Sequence, residues 1–246
     1  MAENKYFEDE NKYFEKEYTV RYSEITPKAE ASLSSVMAYF QDTSMFHSDS
    51  VGQGIGNLMQ RHTAWLLASW HIKIDRYPRY AEKIRVRTWA TKFASVYGYR
   101  DFEIVDEKGQ RLACASSAWI LYNSEEKKMK RVTQEIADTY KPQEKFVFEG
   151  EEARLRVPKE YTDISKRTVR RRDIDTNSHM NNIYYVDFAL EALPADFEIK
   201  ELRVIYKKAA VLSDEVNIGI TREGENSYTC VLHDGNGSVY TVLKFN

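Results

Sequence analysis

The run Thr168-Val169-Arg170-Arg171-Arg172-Asp173-Ile174-Asp175-Thr176-Asn177-Ser178-His179-Met180-Asn181-Asn182, with the apolar segment Ile183 to Leu193 behind it, decides how this chain is organised. At a shift of 149 residues, Thr168-Val169-Arg170 falls on Thr19-Val20-Arg21 and Asp173-Ile174 on Glu24-Ile25. Tyr185 and Val186 fall on Val36 and Met37 at the same shift. Further on, Ser213-Asp214-Glu215-Val216 matches Ala81-Glu82-Lys83-Ile84 at a shift of 132, so the first half carries about seventeen extra residues between its helix and its second strand. Each half reads as a strand, a helix and then a run of antiparallel strands, an α+β duplication.

Outward from the match, Ala31 to Phe46 has helical apolar spacing through Leu33, Val36, Met37 and Phe40. Gly52, Gly54 and Gly56 follow that helix; without the Walker lysine and serine, and without a preceding strand, they read as a flexible loop rather than a phosphate cradle. Thr63 to Asp75 and Lys83 to Ala90 are strands, and Tyr97 to Val105 and Leu112 to Tyr122 form a hairpin about Asp106-Glu107-Lys108-Gly109. Thr133 to Tyr140 reads as a short helix, and the second half supplies strands at Glu201 to Lys208, Glu215 to Thr221, Ser227 to Leu232 and Ser238 to Phe245. The expected division is a leader over 1–17, a first domain over 18–140, a linker over 141–160 and a second domain over 161–246. The leader holds a short duplication, Asn4 to Glu8 and Asn11 to Glu15, and reads as loosely attached.

A net charge of -2 gives no footprint for nucleic acid or an anionic membrane. No apolar run approaches the roughly 20 residues needed to cross a bilayer. Two cysteines, Cys114 and Cys230, build no disulfide framework and have no metal-ligand spacing; both read as core. The N-terminus lacks the apolar stretch of a signal peptide and the composition of a transit peptide, which makes the expected location cytoplasmic. No cofactor is expected.

The halves differ where chemistry would sit. Asp175, Asn177 and His179 alternate just ahead of the second helix, whereas the matching positions of the first half hold Thr26, Lys28 and Glu30. A carboxylate, an amide and an imidazole so close together suit a reaction centre; capping of the turn and helix is the competing role for Asp175 and Asn177. A motif that was purely structural would be expected in both halves.

The segment Asp173 to Asn182 resembles the active-site motif of acyl-acyl-carrier-protein thioesterases. So do Ile74-Asp75-Arg76-Tyr77-Pro78, Val86-Arg87-Thr88-Trp89 and Ala115-Ser116-Ser117-Ala118-Trp119 in the first half. The resemblance covers roughly residues 18 to 245. It implies two tandem hotdog domains, each an antiparallel sheet wrapped around a central helix, and hydrolysis of the thioester between a fatty acyl chain and the phosphopantetheine of acyl carrier protein. With no transit peptide, a bacterial member is expected. The resemblance assigns catalytic work to Asp175, Asn177 and His179: Asn177 would position the water or the carbonyl, His179 would be the general base or its relay, and Asp175 would orient them or share the base role. A homodimer is one option the resemblance leaves open.

One departure stands out. Where the family has a water-activating glutamate after the strand Leu202 to Lys208, and plant members a cysteine next, this chain has Ala209 and Ala210. An acyl-coenzyme A thioesterase and a non-catalytic acyl-carrier binder therefore remain alternatives. Trp65, Leu66, Leu67, Trp70 and Ile72 could wall an acyl tunnel or form ordinary core, so no substrate-binding residue is assigned. Two basic clusters, Lys127, Lys128, Lys130, Arg131 and Arg170, Arg171, Arg172, could meet an acidic carrier protein or be plain solvated charge.

Overall fold

The computed structural model describes residues 13–149 and 155–246. The short duplication in the leader therefore lies largely outside the described residues. The chain forms two compact units, Met1–Leu66 with Arg76–Glu149, and Leu67–Asp75 with Gly150–Asn246.

In unit 1 the strands β1 (Phe14–Thr19), β3 (Lys83–Ala94), β4 (Tyr97–Asp106) and β5 (Arg111–Asn123) pair antiparallel in that order, and β6 (Lys128–Met129) turns back on β5. Helix α1 (Leu33–Ser50) starts at Ser32, whose hydroxyl accepts the Ser35 N–H at 3.1 Å. It buries Leu33, Val36, Met37 and Phe40 against the sheet, with the Phe40 ring 5.3 Å from Phe102. Burying each such side chain contributes about 1.5–3 kcal/mol. β1 begins at Phe14, ahead of the expected leader boundary, because Phe14 to Glu17 find ladder partners in Thr88 to Arg85.

The glycine string also differs from expectation. Ile55–Gln60 is a short helix, α2, entered at Gly54. A Cβ at Gly54 would overlap the Asp49 carboxylate, so glycine is the residue that fits there. Helix α3 (Gln134–Tyr140) is capped by Thr133 and ends at Lys141 in the left-handed region. The first part of the expected linker is held down on the same unit: the Trp89 indole N–H donates to the Lys145 carbonyl at 2.8 Å, and the Val147 N–H donates to the Asp101 carboxylate at 2.8 Å.

In unit 2 the part of β2 (Thr63–Ile74) from Leu67 onward leads an antiparallel series with β8 (Glu201–Tyr206), β11 (Val239–Phe245), β10 (Tyr228–His233), β9 (Glu215–Arg222) and β7 (Thr162–Thr168). Leu67–Asp75 counts with this unit because Ser69 to Lys73 pair with Ile205 to Glu201. Helix α4 (Asn182–Leu190) packs on β10 and β11, burying Tyr185, Val186 and Ala189. Cys230 and Cys114 are buried and neither is in a disulfide.

The duplication reaches individual hydrogen bonds. Val20 N–H donates to Glu82 O (3.0 Å) as Val169 N–H does to Asp214 O (2.9 Å), and Ala31 N–H donates to Pro78 O (2.7 Å) as Met180 N–H does to Ala210 O (2.9 Å). These pairs obey the shifts of 149 and 132 residues read from the sequence. One correlated difference is instructive. Pro78 has no N–H, and the helix residue matching Tyr185 is the apolar Val36. Ala210 is fully buried and has an N–H, which donates at 2.7 Å to the Tyr185 hydroxyl. Tyr185→Phe should therefore strand a buried donor and cost about 1–3 kcal/mol of unfolding free energy in urea; an unchanged midpoint would show that this bond stabilises nothing.

Candidate active site

The site is a tight turn between two anchors. On the strand side, Asp173 is buried: its carboxylate accepts the Arg170 N–H at 2.8 Å, and its carbonyl accepts the Asn181 N–H at 2.8 Å. On the helix side, the Asn181 side chain caps α4 by accepting the Ile183 N–H at 3.0 Å. Between them the Asp175 N–H donates to the His179 carbonyl at 2.8 Å, closing the turn, and Ser178 sits in the left-handed region at φ 62°. That conformation costs a non-glycine residue about 1 kcal/mol or more, so the turn is held by its bonds rather than by local preference.

Asp175, Asn177 and His179 all lie on this turn, with different tasks. Asp175 Oδ1 accepts the N–H groups of Asn177 at 2.8 Å and His179 at 3.3 Å, so this carboxylate has a structural job. The side chains of Asn177 and His179 make no hydrogen bond among the described residues; Asn177 is exposed and His179 half-buried. At the head of α4, the Ile183 and Tyr184 N–H groups are satisfied by Asn181, while the Asn182 N–H has no acceptor among the described residues. It lies at the positive end of the helix dipole, a position suited to a developing oxyanion.

The copy in unit 1 separates scaffold from chemistry. Glu24 replaces Asp173 and likewise accepts the N–H three residues before it, from Arg21 at 2.7 Å. Thr26 replaces Asp175, with its hydroxyl accepting the Lys28 N–H at 3.3 Å. Ala29 is left-handed at φ 56° as Ser178 is, and Ser32 caps the helix as Asn181 does. The repeated features are those that hold the turn. Asn177 and His179, replaced by Lys28 and Glu30, have no counterparts.

A second layer was not legible from the motif. The Tyr206 hydroxyl donates to the Asn182 carbonyl at 3.0 Å, and its ring meets Tyr185 edge-on at 5.7 Å. Burial pushes the Tyr185 hydroxyl up to about 12, and Tyr206 well above the ordinary range, so both stay protonated. The Tyr240 hydroxyl donates at 3.0 Å to Asp214, which also accepts the Val211 N–H at 3.0 Å. These contacts seat the loop 207–214 beside the motif, with Ala209 exposed on it. Period-2 patterning marks Tyr206 and Tyr240 as strand residues but carries no signal of what their hydroxyls reach.

Of the suggested tunnel residues, Leu67, Trp70 and Ile72 are buried. Arg170, Arg171 and Arg172 are exposed, on the turn just ahead of the site. No group of three or more His, Cys, Asp or Glu that could hold a metal ion occurs among the described residues. No helix among them is long and apolar enough to cross a membrane.

The family model for the acyl-ACP thioesterase N-terminal domain matches residues 11–140, and that for the C-terminal domain matches residues 157–242. The chain belongs to the acyl-ACP thioesterase family. Curated relatives include an oleoyl-acyl carrier protein thioesterase of Arabidopsis thaliana, 27% identical over 90% of this chain and 66% of the relative. Another is a palmitoyl-acyl carrier protein thioesterase of Cuphea hookeriana, 29% identical over 75% of this chain and 48% of the relative. The chain thus spans about half to two thirds of the length of these relatives. The fold matches that of an acyl-ACP thioesterase from Bacteroides thetaiotaomicron, with a TM-score of 0.87, 22% identity, and 96% of this chain and 98% of that one covered. It also matches the 12:0-ACP thioesterase of Umbellularia californica, with a TM-score of 0.85, 22% identity and 98% of each chain covered. The architecture of this acyl-ACP thioesterase family member is accordingly hotdog-like and α+β.

The double role of Asp175 can be separated by substitution. Asp175→Asn keeps an oxygen acceptor for the two N–H groups and should stay near wild-type stability, whereas Asp175→Ala should lose about 1 kcal/mol. Equal stability of the two variants in urea unfolding would remove the structural role.

Proposed function

We propose that this protein, acting in the cytoplasm, hydrolyses the thioester of a fatty acyl group on acyl carrier protein, releasing the free fatty acid and the holo-carrier. The observation that carries the proposal is the placement of two polar side chains with no hydrogen bond among the described residues, Asn177 and His179, together with the open Asn182 N–H, on a turn held closed by the Asp175 carboxylate, the Asn181 cap and backbone bonds. The Asn177 amide orients the attacking water. His179 accepts its proton as oxygen bonds to the thioester carbon, and the Asn182 N–H receives the negative charge on the carbonyl oxygen. Collapse of the tetrahedral intermediate breaks the C–S bond, and the imidazolium returns its proton to the departing phosphopantetheine thiolate. Asp175 keeps Asn177 and His179 in register through their backbone N–H groups. Arg170, Arg171 and Arg172 are the docking surface for the acidic carrier, on exposed positions beside the turn.

Ala209 is the observation that favours a second reading. With no carboxylate at this exposed loop position, water activation falls to His179 alone, and a protein that binds acyl carriers without turning them over is the alternative. Thiol release from acyl carrier protein and from acyl-coenzyme A, over a range of chain lengths, tests the proposal. Faster release from the carrier is expected; faster release from coenzyme A would reassign the substrate, and binding of acyl carriers with no release would establish the binder. Ala209→Glu is expected to raise turnover by up to about a hundredfold, the lower end of what a positioned general base typically contributes. No gain would mean that the site does not use a base from this loop.

A further inference from the structure

Helix α4 is tied from outside at three successive residues where it begins. The Met180 N–H donates to the Ala210 carbonyl at 2.9 Å, and the Asn181 N–H to the Asp173 carbonyl at 2.8 Å. The Tyr206 hydroxyl donates to the Asn182 carbonyl at 3.0 Å. The first two bonds recur in unit 1, from Ala31 to Pro78 at 2.7 Å and from Ser32 to Glu24 at 2.9 Å. The third does not. At the shift of 149 residues Asn182 falls on Leu33, the first residue of α1. At the shift of 132 Tyr206 falls on Ile74, the last residue of β2 as Tyr206 is of β8. Ile74 is buried and has no hydroxyl. The equivalent helix thus starts without this bond, so folding alone does not require it.

Tyr206 is built to hold a neighbour still. It pairs with Thr241 of β11, and the next residue, Lys207, donates its N–H to the Tyr240 carbonyl at 2.8 Å. Its ring meets Tyr185 edge-on at 5.7 Å. Burial raises its pKa well above the ordinary range, so the hydroxyl keeps its proton and acts as a donor. The residue it grips is the one whose N–H has no acceptor among the described residues. Inside the helix, Asn181 binds the Ile183 and Tyr184 N–H groups, bonds that move with the first turn if it tilts. Tyr206 ties Asn182 itself to the sheet.

We infer that Tyr206 is a positioning residue for the hydrolysis: through the Asn182 carbonyl it keeps the Asn182 N–H aimed at the oxygen that becomes negative as water adds to the thioester. The inference rests on the proposed role of that N–H as oxyanion donor. A donor already aimed needs no reorganisation as charge develops, and a misplacement of about 1 Å can cost about a hundredfold in rate. Because the gain comes in the transition state, loss of the Tyr206 hydroxyl should spare substrate binding.

The test compares wild type with Tyr206→Phe, which keeps the ring and its contact with Tyr185 and is expected to fold. In thiol release from acyl carrier protein, kcat is expected to fall about tenfold to a hundredfold, with KM within about twofold of wild type. The pH profile of kcat is expected to keep its shape, since Tyr206 transfers no proton. Isothermal titration reads the oxyanion contact without turnover, using dodecyl trifluoromethyl ketone, which hydrates to a tetrahedral centre, and dodecyl methyl ketone, which does not. Wild type is expected to prefer the fluoroketone, and Tyr206→Phe to lose that preference by the same factor as kcat. Three results would each overturn the inference and leave the proposed reaction standing: a fall in activity that only tracks loss of folded protein in urea unfolding, a raised KM with kcat unchanged, or an unaltered ketone preference. A wild type that releases no thiol and binds both ketones alike would strike the proposed reaction, and this inference with it.

Discussion

Each unit depends on one closed turn between its entering strand segment and its helix. A carboxylate, Glu24 in one and Asp173 in the other, holds the N–H three residues upstream, and the carbonyl of the same residue takes the N–H of the helix cap, Ser32 or Asn181. That pair of bonds fixes where the helix begins. The helix then fixes which face of the sheet is covered, through Val36, Met37 and Phe40 in one unit and Tyr185, Val186 and Ala189 in the other. The carbonyls of Pro78 and Ala210 bind the residue before each cap, so the loop that returns from the sheet is tied to the same turn.

A turn this constrained frees its remaining side chains from structural work. In unit 2 the bonds that hold the turn come from Asp173, Asp175 and Asn181, and their counterparts Glu24, Thr26 and Ser32 do the same in unit 1. Asn177 and His179 are surplus to that requirement. Side chains that contribute little to stability yet are held by a rigid backbone are suited to meeting a substrate. Unit 1 has Lys28 and Glu30 at those positions, and its interior instead holds the buried charge of Arg100.

Much of this was legible in the sequence because both shifts mark hydrogen-bonded landmarks: the strand entry, the helix start and the second strand. The helix α1 spacing and the hairpin about Gly109 were also legible, since both depend on local chemistry. Partner choice between strands was not, because it is set by long-range pairing; nothing in Leu67–Asp75 announces that it joins β8. The glycine string misled because Gly54 reads as freedom, whereas it is required by the Asp49 carboxylate lying against it. Arg100 could have been found: it is in phase with Phe102 and Ile104 along β4, which puts a charge on the core face of a period-2 strand. The Tyr185–Ala210 bond had a weaker signal, the paired absence of its two partners at Val36 and Pro78.

The central claim is that chemistry resides on the turn of unit 2 in the side chain that its architecture does not need. Thiol release from an acyl carrier protein substrate by His179→Ala, with urea unfolding of the same preparation, tests this most directly. The account predicts a fall of about a hundredfold to ten-thousandfold in turnover with the unfolding midpoint unchanged. Near-normal turnover, or a loss of activity that follows a loss of stability, would contradict it.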